Sequence, residues 1–91
     1  MNYRRNKTIK YYAEYHIEKL DGSHGAILGS DGILILDGRN RFSNMISDAQ
    51  RHCAQLLKDK YIIGISIQRG DFRHSKELCY IPRYKDGIKL W

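Results

Sequence analysis

Four histidines and two cysteines are the side chains of this 91-residue chain best suited to metal or nucleophilic chemistry, and their spacing argues against both. No two of His16, His24, His52 and His74 fall at the intervals that metal sites use, and neither Cys53 nor Cys79 has a C-x-x-C partner. His52 and Cys53 adjoin on a predicted helix, where successive side chains diverge by about 100°, so they cannot act as a nucleophile and its base. Cys53 instead falls on the apolar stripe of that helix and reads as core. Glu14 and Glu18 share a strand face with His16 and read as solvated residues flanking it rather than as an acid–base pair. Dinucleotide, Walker and nucleophile-elbow motifs are all absent. The expectation is a protein that binds rather than catalyses, with no cofactor and no metal.

Two groups of residues could carry binding. Arg4, Arg5, Lys7 and Lys10 form a basic arm with no acid among residues 1–12, and its arginines could track a phosphate backbone. Arg39 and Arg41 stand immediately before the predicted helix. There, free backbone amides and fork-shaped guanidinium donors both favour anions. Lys76, Arg83, Lys85 and Lys89 could extend a basic surface. The outer face of the predicted sheet is a third candidate, a partner face presenting Tyr12, His16, Leu34, Leu36 and Ile62. Such an apolar mixture calls for cover by the C-terminal hairpin, a partner or a second copy.

The elements that position these groups are cut out by four Asp-Gly pairs, at residues 21–22, 31–32, 37–38 and 86–87. Both residue types tolerate turn geometry, so each pair marks a turn. Tyr11, Ala13, Tyr15 and Ile17 alternate with Tyr12, Glu14, His16 and Glu18, the period of a half-buried strand. Residues 26–28 and 33–36 read as a hairpin across Ser30-Asp31-Gly32. The second of these runs is apolar on both faces, as a central or partner-covered strand would be. A helix is predicted over 43–58, with Ser43 as N-cap and a stripe of Phe42, Ile46, Ala49, Cys53, Leu56 and Leu57. Lys58 and Lys60 suit its C-terminal dipole. A strand over 61–67, one over 78–81 and a short one over 88–91 complete the order βββαββ with a terminal extra. The fold class is α+β. A mostly antiparallel sheet of four to six strands carries one amphipathic helix, packed against Tyr11, Tyr15, Ile17, Ile63, Ile65 and Ile67. Residues 1–8 form a flexible basic arm, and residues 9–91 a single domain.

A hydrophobic content of 42% supports a packed core at this length. The apolar runs are too short to span a bilayer, and none of secretory length follows the basic N-terminus, so neither membrane association nor a signal peptide is expected. Two cysteines beside a real core suggest free thiols and a cytoplasmic setting. The formal charge of +6 is uneven, since residues 13–38 sum to −4 within an otherwise basic chain. Basic character favours a polyanionic partner, either DNA or RNA, or an acidic protein surface.

The run Ile33–Leu36, the turn Asp37-Gly38, the helix from Phe42 to Leu57 and the strand over 61–67 resemble the architecture of small phage and prophage inhibitor proteins, among them anti-CRISPR and host-takeover proteins. That resemblance implies a non-enzymatic inhibitor of a host protein or nucleoprotein complex, CRISPR-Cas for example, acting by occlusion in the host cytoplasm. Many such inhibitors are acidic mimics of DNA, whereas this chain is basic. The alternative is a small basic DNA- or RNA-binding module. A homodimer is a third reading, resting on the outer-face leucines.

Overall fold

The computed structural model describes residues 10–27, 33–56, 59–71 and 74–91. Its longest strands are the two with the clearest alternation. β1 (Tyr11–Glu18) pairs antiparallel with β4 (Ile62–Arg69), and β4 with β5 (Lys76–Pro82). On the other edge of β1 lie β2 (His24–Ala26) and β3 (Ile33–Leu36), and the only helix among the described residues is α1 (Phe42–Cys53). A single 3-10 turn, Asp59–Tyr61, leads into β4. The fold is α+β, one helix on a mostly antiparallel five-stranded sheet, with a small second sheet formed by β6 (Tyr84–Lys85) and β7 (Ile88–Lys89).

The expected hairpin between residues 26–28 and 33–36 does not form. β2 pairs with the second half of β1 (His16 opposite Ala26) and β3 with the first half (Tyr11 opposite Leu36), so both run in the same direction along one edge. They are two halves of one partner strand, interrupted between them. An eight-residue β1 offers enough edge for both short strands. The Asp31-Gly32 pair and Leu28 lie outside the described residues. Of the other Asp-Gly pairs, 86–87 makes the two-residue turn between β6 and β7. Both residues there have positive φ, at 51° and 81°, the geometry for which this pair is favoured.

Register decides which side chains face the helix. Tyr11 lies opposite Leu36, and Ala13 opposite both Leu34 and Ile67. Leu34 and Leu36 therefore sit on the inner face with Ala13, not on the outer face with Tyr12, and Leu36 joins the core. Ile33 and Ile35 take the outer side, and Ile35 is 64% exposed on a strand that pairs only with β1 among the described residues, so β3 is an edge strand and not a central one. A register shift between His16 and Ile17 brings Ile62 opposite Ile17. That bulge turns Ile62 into the core and Ile63 outward, the reverse of strict alternation.

The helix begins at Phe42, one residue before the expected Ser43 cap. Arg41 is its N-cap in extended geometry and makes no side-chain capping bond. The sheet sets which positions of the stripe are buried: Met45, Ala49 and Cys53 are enclosed, Ile46 and Leu56 pack beside them, and Phe42 is left 41% exposed. Leu57 and Lys58 lie outside the described residues. Tyr15 crosses from sheet to helix, its hydroxyl donating to the carbonyl of Ala49 at 2.6 Å. Burial pushes that phenol well above its ordinary range, with Cys53 adding to the shift.

Candidate polyanion interface

The strand ends gather cations at one end of the sheet. Lys10 precedes β1, and its carbonyl accepts from the amide of Gly70 at 2.8 Å, directly after β4. Tyr11 lies opposite Arg69, and Arg69 opposite Lys76 at the start of β5. On the other side of β1, β3 ends at Leu36 opposite Tyr11, and the turn carrying Arg39 and Arg41 follows into α1. Lys10, Arg39, Arg41, Arg69 and Lys76 thus rim one end of β3, β1, β4 and β5, a width of about 14 Å at ordinary strand spacing. The first turn of α1 contains no acid, so its amides add a positive potential to the same rim.

The acids of this end are each engaged locally. Asp37 accepts from Arg39 through Nε (3.0 Å), Nη2 (3.1 Å) and the backbone amide (2.9 Å). Those bonds hold the Asp37 carboxyl below the usual carboxylate range and raise the Arg39 guanidinium. Arg39 is therefore largely occupied, and Arg41 is the more available of the two predicted arginines. Asp71 accepts from the amide of His74 at 2.9 Å, and Glu77 from the hydroxyl of Ser66 at 2.6 Å. A recess of about 170 Å³ opens between the cations, lined by Lys10, Tyr11, Tyr12, Ile35, Gly70 and Asp71.

The structure joins Lys10, Arg39 and Arg41, and it adds Arg69 and Lys76. Arg69 had no place among the candidates and Lys76 was placed only in a C-terminal patch. The available signal was that they close the two ends of one β4–β5 connection, and such ends must adjoin. Arg4, Arg5 and Lys7 lie outside the described residues. Arg83 leaves the basic surface altogether, for it is 5% exposed and paired with Asp59 at 3.0 Å.

The outer sheet face mixes polar side chains with exposed apolar ones, Ile35 and Tyr80 among them. Tyr12 is buried and donates to Ser75 at 2.8 Å, while Gln68 donates to Ser66, which in turn donates to Glu77. His16 is half-buried, 3.3 Å from Glu14 and edge-on to Tyr80, at the far end of β1 from the cations. With Leu34 and Leu36 inside, the argument for a second copy covering them falls away. Among the described residues no cluster of three metal-ligating side chains occurs, and no helix is long and apolar enough to cross a membrane. Comparison with family models, with curated proteins and with solved structures finds no match to this chain.

Proposed function

We propose that this chain is a non-enzymatic binding protein that engages the phosphate backbone of DNA or RNA through the basic end of its sheet. The nucleic acid is either free or held in a nucleoprotein complex. The observation that carries the reading is the convergence of Lys10, Arg41, Arg69 and Lys76 across adjacent strand ends, with the local acids already bonded to their neighbours. Cations spaced along a rim suit a polyanion better than a single small anion, because successive phosphates can each meet one donor. Occlusion of nucleic acid within a host defence complex is the role this binding would serve in a phage-type inhibitor.

Fluorescence anisotropy with a labelled single-stranded oligonucleotide tests it. Four phosphate contacts give a slope of log K against log salt of about −3, and K10A with K76A removes about 1.4 of that slope. R41A weakens binding more than R39A, because Asp37 already occupies Arg39. A slope unchanged by these substitutions, or no binding at about 50 mM salt, where such contacts are strongest, overturns the proposal.

A further inference from the structure

A second concavity lies on the outer face near the other end of β1, about 20 Å from the basic rim at the rise of an extended strand. It holds about 470 Å³. Tyr80, Pro82 and Tyr84 line it from the β5 side, His16, Glu18 and His24 from the β1–β2 side, and Ile63 lies between them on the bulge of β4. In a chain of net charge +6, no lysine or arginine among the described residues lines this recess.

Its chemistry is that of an acceptor lined with π-faces. Glu18 contributes an exposed carboxylate that makes no ion pair among the described residues. Glu14, two residues before His16 on the same face, stands 3.3 Å from Nε2 of that ring. A carboxylate accepts, so Nε2 is the donor of this contact. Tyr80 and Tyr84 are 40% and 44% exposed, which leaves ring surface open to a ligand. Tyr80 is held in place from both sides. It packs edge-on against His16, with centroids 5.6 Å apart, and it lies across Gly64, where a side chain would collide with the ring.

We propose that this recess binds the guanidinium of an arginine side chain presented by a basic segment of a partner protein. Carboxylate and phenolic faces complement a planar cation, which can donate in its plane while stacking on tyrosine. An ammonium fits less well, having no face to stack. This site is separate from the nucleic-acid reading and stands or falls without it, since the two share no residue.

The test is a ¹H–¹⁵N NMR titration with N-acetyl-arginine methylamide, using the lysine and the neutral citrulline analogues as comparators. Saturable shifts are expected at His16, Glu18, Tyr80 and Tyr84, with arginine tighter than lysine by about two- to fivefold. Glu18→Gln weakens arginine binding by about threefold and Tyr84→Ala by about two- to fivefold, both at exposed positions. K10A with K76A leaves it unchanged. Equal binding of citrulline, shifts at Lys10 and Arg69 instead, or no saturable shift up to about 10 mM, ten times a millimolar dissociation constant, overturns the proposal. Shifts that follow protein concentration with no added ligand also overturn it, in favour of a second copy as occupant.

Discussion

Replacing Asp59 by Asn should destabilise the fold more than replacing its partner Arg83 by Met, although the arginine makes more contacts. Arg83 is enclosed, with 6% of its side chain exposed, while a third of Asp59 remains in water. The guanidinium donates from Nη1 to the carbonyl of Asp59 at 2.5 Å and from Nε to that of Trp91 at 3.3 Å, and it lies 4.7 Å from the centre of the Trp91 ring. Asp59→Asn keeps those carbonyls but strands a buried cation, which costs about 3 kcal/mol, the low end for a broken buried pair. Arg83→Met leaves a carboxylate that water can reach and that still accepts from the Cys53 thiol at 3.1 Å, so about 2 kcal/mol is lost, chiefly in unmade hydrogen bonds. With both replaced, neither charge is stranded, and the cost should again be about 2 kcal/mol, some 3 kcal/mol short of additivity. For a domain of this size the Asp59 variant would melt about 12–24 °C below the parent. Urea unfolding followed by the fluorescence of Trp91, the chain's single tryptophan, and by circular dichroism measures all four corners of the cycle. The cycle has a pH signature too. The thiol of Cys53 and then Arg83 hold the Asp59 carboxyl below its ordinary range in the fold. Between the folded and unfolded values the unfolded chain binds more protons, so the parent loses this stability as pH falls through that window, and Asp59→Asn lacks the loss. Costs that add within about 0.5 kcal/mol, or a larger cost for Arg83→Met, would refute the reasoning.

Two further outcomes follow from the core and the outer face. Burial, with the bond to Asp59, pushes the Cys53 thiol up to about 12 from an ordinary 9.0, so the unfolded chain deprotonates first and stability is lost as pH rises through that interval. Cys53→Ala should flatten this alkaline limb in equilibrium unfolding, and a limb unchanged by the substitution would show that the thiol titrates alike in both states. Gly64→Ala drives the Tyr80 ring off the strand and should cost about 1 kcal/mol, because the displaced group is the free end of a side chain. Loss of the ring-current shift at His16 reports the movement; an unshifted His16 signal would mean that Tyr80 does not rest there.

The strands over 11–18 and 62–69 were legible because each needs only its own alternation, with β-branched and aromatic residues on the face that must leave water. The Asp-Gly turn at 86–87 was legible for the same reason, since positive φ is a preference of the residue itself. The helix was legible as an apolar stripe, but its exact face was not. Met45 rather than Phe42 is buried, because the sheet sets the angle at which the helix lies.

What only tertiary structure decided is whatever depends on pairing. An Ile-Leu-Ile-Leu run has no polar residue to say which side is inner, so Leu34 and Leu36 find their face only through the partners Ala13 and Tyr11. One bulge in β4 likewise exchanged Ile62 and Ile63. Arg83 reads as one more surface cation in a basic chain, until Asp59, 24 residues earlier, closes over it. The net charge of +6 is a property of composition alone. The gathering of Lys10, Arg41, Arg69 and Lys76 at one end, with the tyrosine-lined recess at the other, arises because antiparallel pairing sets distant strand ends side by side, which no local pattern encodes.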